Sequence, residues 1–530
     1  MAAMAFVLGE LVVVVVARAL ANRSGVPASV LLVLAGIVYG YLPGPNLGLH
    51  PEVVLDLIIP PLLYAAALQS SFLALRRNTR TVLSLSVGLV LATALAVGAG
   101  LSAAVAAVPL SVGIAIGAAV SPPDPVAALS VGRRAGLPPR LITLVEGEGL
   151  LNDATALTLL QVAVAAAVGS GFSLPAAVGQ FLLVAAGGVV AGMVVAVPMA
   201  RIRTAVSDPL IDNTLSLGTP FAAYLLAEEV HVSGVLAVVV AGLWLGHRGS
   251  VMQSSRARLQ TRAVWRLVEF MLEGYVFVLI GQQLPAVVRG LRAYSASEIL
   301  TAAGVTLGAV LLVRPLWLYA TAHLPARMHA RLGGDPGEGN APLSGREVLA
   351  LTWAGTRGVI TLAAAFSLPT TIPARDLLLF CAYLVVLVTL VGQGLTFAPV
   401  LRRLHLPGTE VAQALSRNEA RAAAVEAGLN RLEALQAADP RIEEVVGPLR
   451  RAAEIRHQRY TERVALLSSV EDQTLPPMDD RYQLALRARR EMISAEREEL
   501  LAWRDAGQLP DADLRVLERE LDHEESLLPG

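Results

Sequence analysis

Lysine is absent from this chain of 530 residues; all 42 of its basic side chains are arginine. Cysteine occurs once, as Cys381, which excludes a disulfide framework. Charge is scarce too. Charged residues make up 16% and hydrophobic ones 55%, against roughly 25% charged in an ordinary soluble domain. A water-soluble chain of this length covers its surface with charge. Ordinary soluble, disordered and collagen-like classes are therefore excluded. The formal net charge of −1 offers nucleic acid no attraction.

What charge there is falls unevenly. Residues 1–404 hold 25 arginines and 18 acids, a net +7, and are about 11% charged. Residues 405–530 hold 17 arginines and 25 acids, a net −8, and are about 33% charged. The division predicts a membrane body over 1–404 and a hydrophilic tail over 405–530. A bilayer-spanning helix needs about 20 mainly apolar residues. The body offers thirteen such segments, near 4–21, 28–44, 53–70, 81–106, 111–131, 141–168, 176–199, 211–228, 232–246, 264–284, 298–322, 347–367 and 376–401. The first has no basic residues before it and no small-residue cleavage site after it, so it reads as a retained helix.

Arginine placement gives an orientation. Alternate loops, starting after the first segment, carry 20 arginines, from Arg18 and Arg23 through Arg327, Arg331 and Arg346 to Arg402 and Arg403; the opposite loops carry Arg289, Arg292 and Arg375. The positive-inside rule then puts the N-terminus outside and the tail in the cytoplasm of a cell-membrane protein. Thirteen helices allow two six-helix repeats of inverted topology around a central seventh, which makes the fifth and twelfth segments equivalents. Both are interrupted, one by Ser121-Pro122-Pro123-Asp124-Pro125, the other by Gly355-Thr356-Arg357-Gly358. Interrupted segments at matching places in two halves point to a transporter's ion site.

Ionisable groups at bilayer depth cost about 2.5–3.5 kcal/mol on insertion scales and are functional candidates by default. Asp124, Glu146, Glu148, Asp153, Arg314 and Arg357 sit at such depth. Pro122, Pro123 and Pro125 lack N–H donors, so carbonyls of the turn before them lose their partners. Free carbonyls beside the Asp124 carboxylate suit a hard cation. Asp153 lies about 140° round its helix from Glu148. Glu148 can therefore hold an arginine while Asp153 faces a cavity. With two arginines for four acids, Asp153 is the acid least expected to have a basic partner. Asn152 beside it is suited to coordinate a cation or hold an arginine but does not titrate, so one carboxylate exchanges one proton for one monovalent cation.

Three stretches carry a family resemblance: Ser-Pro-Pro-Asp-Pro-Val-Ala-Ala (121–128), Glu-Gly-Glu-Gly-Leu-Leu-Asn-Asp-Ala-Thr-Ala-Leu (146–157) and Trp-Ala-Gly-Thr-Arg-Gly-Val-Ile-Thr-Leu (353–362). Together they resemble the monovalent cation:proton antiporters, in the bacterial form of the electroneutral sodium/proton exchanger branch, over about 5–404. The resemblance implies an Na⁺/H⁺ exchanger, probed also by Li⁺, with no cofactor, working as a homodimer by elevator-like movement of a core domain. It implies that Asp153 binds cation and proton alternately, that Asp124 and Asn152 frame the Na⁺ site with Arg357 ordering them, and that Glu148 and Arg314 brace the core. Three positions depart from the pattern. Pro123 stands where relatives have threonine, Gly149 where they have serine, and Ala65 where some have glutamate. Familiar ligand oxygens are thus missing, and K⁺/H⁺ exchange stays open beside Na⁺/H⁺.

Other classes fare worse. An intramembrane protease needs a Gly-x-Gly-Asp, Gly-x-Ser-Gly or His-Glu-x-x-His pattern, none of which occurs. The buried charges favour stoichiometric exchange over a channel. Glu269 and Glu273, four residues apart, either line an entrance funnel or mark an interface. His247, His329 and His405 fall at helix ends and read as solvated. The tail shows helical periodicity, broken at Pro440, Pro448, Pro476-Pro477 and Pro510 into four or five helices. It contains no nucleotide loop, zinc spacing or EF-hand and reads as a regulatory, dimer-stabilising or simply solvated module.

Overall fold

The computed structural model describes residues 2–42, 51–169, 174–323, 343–406, 410–438, 443–469, 480–506 and 508–526. All regular structure among them is helical. The chain divides into two compact units, Met1–Leu406 and Pro407–Gly530.

The first unit opens with α1 (Ala2–Ser24) and α2 (Ala28–Gly40). Helix α3 (Val53–Gln69) begins as a wide π turn over Val53–Ile58, just ahead of Pro60 and Pro61, whose missing donors disturb the ordinary ladder. A short α4 (Phe72–Arg77) leads into α5 (Thr79–Ala104). The fifth predicted segment is two half-helices, α6 (Leu110–Val120) and α7 (Pro125–Arg134). Then come α8 (Pro139–Val168), α9 (Leu174–Ala205), α10 (Pro209–Glu229), α11 (Gly234–Met252) and α12 (Ser255–Gln282). A short α13 (Leu284–Gly290) precedes α14 (Ala296–Ala322). The twelfth segment is again split, into α15 (Gly345–Trp353) and α16 (Val359–Phe366), and α17 (Arg375–Leu404) completes the unit.

Starts and stops follow local chemistry. Asp208, Ser233 and Ser254 cap α10, α11 and α12 through side-chain oxygens. Ser295 with Glu298, and Ser344 with Glu347, form capping boxes that open α14 and α15. Gly169 ends α8 with φ +116°, a left-handed conformation that suits glycine. Every one of the thirteen predicted segments falls on a helix or a split pair. The tenth starts nine residues before the expected 264, because the Ser254 cap lets an arginine-rich amphipathic turn extend it. Among the described residues, five helices are long and apolar enough to cross a membrane by length and composition: α5, α8, the Val178–Ala205 part of α9, α14 and α17. Four more are apolar but shorter: α2, α3, α6 and the Gly234–Gly249 part of α11.

Without a hydrophobic drive between helices in lipid, close backbone approach becomes the packing device. Gly36 of α2 faces Gly281 of α12, and a Cβ on either strikes backbone of the other helix. Outward faces stay apolar, as at Leu182, Leu183, Val190 and Leu316, each at least 60% exposed. A patch of that kind suits lipid better than water.

The second unit contains α18 (Glu410–Ala438), α19 (Glu443–Ser468), α20 (Asp480–Asp505) and α21 (Asp511–Ser526). Pro448 was expected to break a helix and does not. It sits near the start of α19, where its missing N–H costs only one early ladder bond. Pro510 does precede a new helix; Pro440, Pro476 and Pro477 lie outside the described residues. Arg497 of α20 bonds Asp522 and Glu525 of α21 at 2.8 and 2.9 Å.

Candidate ion-binding site

The two split helices meet at their breaks. Asp124 caps α7: its Oδ1 accepts the Val126 N–H at 2.9 Å. Its own backbone N–H donates to the Thr356 carbonyl at 2.6 Å, and the Thr356 hydroxyl donates back to the Asp124 carbonyl at 3.0 Å. Gly358 lies against the Asp124 carboxylate so closely that a Cβ there would collide with Oδ2. The breaks are thus joined reciprocally, by one backbone bond and one from the Thr356 hydroxyl.

Arg357 takes a place the sequence did not reveal. Its side chain is 2% exposed, yet among the described residues it forms no ion pair. Nε donates to Val120 O at 3.2 Å, Nη2 to Ser121 O at 3.3 Å, and Nη1 to Gly355 O. Its backbone N–H donates to Thr389 Oγ1 at 3.0 Å. The Val120 and Ser121 carbonyls at the break, expected to be open to a cation, are instead capped by guanidinium. The reason is reciprocal need: a buried guanidinium has five donors to satisfy, and the broken helix end supplies orphan acceptors. Arg357 orders the end of α6 and touches neither Asp124 nor Asn152 by a hydrogen bond.

Helix α8 turns its acids to different sides. Glu148, 1% exposed, accepts two bonds from Arg314 of α14, at 2.5 and 2.9 Å. Arg314 Nε also donates to Leu351 O at 3.0 Å, near the end of α15. Asn152 donates through Nδ2 to Pro123 O at 2.9 Å, and its Oδ1 has no partner. It holds the break, not an arginine. Gly149 packs on the Pro125 ring, which occupies the space of a Cβ. A serine there would push α7 away.

Asp153 faces a cavity of about 800 Å³, together with Asp124, Pro122, Pro123, Pro125, Glu146, Glu269 and Glu273. Asp153 is 4% exposed and, among the described residues, forms no ion pair or hydrogen bond through its carboxylate. Glu146 pairs with Arg133 at 2.5 Å, with that arginine largely exposed. Glu269 accepts from Gln69 at 2.9 Å. Both glutamates of α12 thus belong to the cavity wall, which decides between their two readings. Ala65 is fully buried. His247 lies tilted against the Phe72 ring and His405 ends α17 with φ +42°, while His329 lies outside the described residues.

Three features were missed. Thr361 lines the same cavity, 1% exposed, and its hydroxyl has no partner. It stood in the quoted Arg-Gly-Val-Ile-Thr stretch, one helical turn after Arg357. Glu10, 8% exposed with Oε1 unpartnered, lay in plain sight inside the first predicted span. Asp212 holds Arg203 through Nε at 2.7 Å and Nη2 at 3.1 Å, a buried pair between an arginine counted with a loop and an acid just inside the eighth predicted segment.

Against known proteins, the family model described as sodium/hydrogen exchanger, transmembrane, matches residues 11–403. An uncharacterized Na⁺/H⁺ exchanger of Mycobacterium tuberculosis is 33% identical, over 97% of this chain and 94% of its own length. A sodium, potassium, lithium and rubidium/H⁺ antiporter of Bacillus subtilis is 31% identical, over 69% of this chain and 56% of its own. In structure, the sodium proton antiporter MjNhaP1 of Methanocaldococcus jannaschii superposes with a TM-score of 0.60 at 18% identity, covering 76% of this chain and 98% of that one. That likeness carries the fold alone.

Proposed function

The chain belongs to the sodium/hydrogen exchanger family and so is a membrane antiporter and not an enzyme; on that premise we propose that it exchanges Na⁺, and Li⁺ in its place, for H⁺ one for one at Asp153. The observation that supports this most is the pairing pattern. Among the described residues, the cavity at the meeting point of two broken helices holds a deeply buried carboxylate without a cation, while the neighbouring Glu148 is fully spent on Arg314.

An unpaired buried carboxylate takes a proton or binds a cation. Asp153 does one or the other. Either loading removes the same charge, so exchange is electroneutral. The empty site stays put, because moving a bare carboxylate through low dielectric is far costlier than moving a neutral one. Coupling needs no further device. Asp124, held by its own helix cap, frames the site; Arg357 and Asn152 hold the break behind it. Lower pH fills Asp153 with protons and suppresses cation binding, so apparent cation affinity falls as pH drops. We place the N-terminus outside and the tail in the cytoplasm, with thirteen crossings in two inverted repeats, on the arginine distribution. A homodimer in the cell membrane, with movement of a core unit, follows from the family resemblance.

Potassium is the second reading. The missing oxygens at positions 65, 123 and 149 and the broad substrate name of the Bacillus relative favour keeping it. Inside-out vesicles with an acid interior and a pH-sensitive dye decide the matter. Dequenching by NaCl or LiCl, not by KCl or choline chloride, is the expected result. An equal response to KCl makes it a broad exchanger. No response to any of the salts, over a range of pH, removes the antiport reading.

Thr361 supplies a second expectation. A lone hydroxyl on the cavity wall is a ready oxygen for the cation or its water. Losing one such bond is worth about 1 kcal/mol, roughly a fivefold change. Thr361→Val should raise the cation concentration for half-maximal dequenching by about that factor, with the maximal rate kept, and Thr361→Ser should restore it. An unchanged half-maximal concentration in the valine variant would remove Thr361 from the site.

A further inference from the structure

A second cavity, of about 530 Å³, opens between α3, α11 and α12 and has none of the character of the first. Arg203, Arg258, Arg262 and Arg266 line it, and no carboxylate does among the described residues. Two acids lie beside it and both have donors: Asp212 accepts two bonds from Arg203 and one from Gln253 at 2.7 Å, and Glu269 accepts one from Gln69 at 2.9 Å. The floor is polar, and the Asn213 Nδ2 in it has no partner among the described residues. Thr261 donates to Asn213 at 2.7 Å and Trp265 to Ser216 at 3.0 Å.

Arg258, Arg262 and Arg266 recur every four residues on one face of α12. Like charges at that spacing repel, so the arrangement disfavours itself unless a counter-charge is present. Arg262 and Arg266 are exposed and form no ion pair among the described residues. Guanidinium forks match the oxygens of a phosphate in a way a point charge does not. The arginine-rich side is also the side proposed to face the anionic inner leaflet, where basic pockets between membrane helices take headgroups.

We propose that this cavity is a binding site for an anionic phosphoryl group, held chiefly by Arg262 and Arg266 over the Arg203–Asp212 floor. The site is distinct from the cation cavity in charge, although Arg266 borders both. Phosphatidylglycerol and free phosphate share this chemistry.

The test uses the full chain in neutral detergent and reads its thermal unfolding midpoint. Phosphatidylglycerol, phosphatidylcholine and inorganic phosphate are titrated separately. Phosphatidylglycerol should raise the midpoint and phosphatidylcholine should not. In Arg262→Gln/Arg266→Gln, two arginines at about 1 kcal/mol each translate into roughly thirtyfold more phosphatidylglycerol for the same rise. Arg289→Gln/Arg292→Gln, on the opposite loop, should respond like the wild type. If inorganic phosphate gives the same rise with the same loss in the double variant, the site stands and a soluble phosphoryl group is its ligand. Should the unliganded double variant already melt lower, the single Arg262→Gln serves, with an expected loss of roughly fivefold. A wild type unmoved by both phosphatidylglycerol and phosphate, or a double variant that responds as the control does, overturns the proposal.

Discussion

Asp153→Asn in inside-out vesicles should show no dequenching with NaCl, LiCl or KCl, at any pH where the wild type responds. The substitution keeps shape and removes only the charge and the proton site. Because the carboxylate is 4% exposed and meets no cation among the described residues, its removal also removes an uncompensated buried charge. The variant should therefore unfold at a midpoint equal to or above that of the wild type near neutral pH. The two results together separate a transport role from a structural one: function is lost while stability is not. Cation-driven dequenching that survives in Asp153→Asn would sink the competition mechanism. A large drop in midpoint would instead make Asp153 a structural residue.

Arg314→Met should do the reverse and damage the scaffold first. It leaves Glu148 buried with two lost donors, and it frees the Leu351 carbonyl. Breaking one side of a buried pair costs about 3–5 kcal/mol, enough to lower the unfolding midpoint by many degrees. Glu148→Gln alone should also destabilise, by leaving Arg314 without its counter-charge. The double variant Glu148→Gln/Arg314→Met should be less destabilised than the two singles added together, since no uncompensated charge remains. A double-mutant cycle on thermal or denaturant unfolding measures this coupling. Additive losses would mean the pair is not the brace its geometry implies.

These two residue sets differ in how far sequence alone could reach them. The helices were legible because apolar runs and arginine punctuation are both one-dimensional signals. The breaks were legible from Pro122, Pro123 and Pro125 and from the Gly355–Gly358 stretch. That Glu148 and Asp153 look different ways followed from helical rotation. The partner of Arg357 did not follow from anything local. Its guanidinium reaches carbonyls of residues 120 and 121, more than 230 positions earlier, and backbone acceptors leave no mark in a sequence. Counting charges suggested an acid for it, whereas the helix break offered enough oxygen. Thr361 was silent for a related reason: a threonine in an apolar helix ordinarily bonds back to its own turn, and only the fold shows that this one does not. The Arg203–Asp212 pair stayed hidden because Arg203 was counted with a loop while Asp212 fell just inside the eighth predicted segment, 211–228.

The reciprocal bonds between Asp124 and Thr356 have a mechanical meaning. They rivet one broken helix to the other at the point where each is weakest, one bond running between main-chain atoms and the other from the Thr356 hydroxyl. Neither half can swing by itself without tearing two hydrogen bonds. In the exchange proposed above, the ion travels with a stiff object, and the expected sliding surface is the cavity wall supplied by α12. Deuterium uptake reads this directly. Peptides across 121–126 and 354–358 should exchange late and together, with or without cation, while the α12 wall responds to it. Early exchange at the rivet, ahead of its surroundings, would mean the hinge runs through the crossing after all.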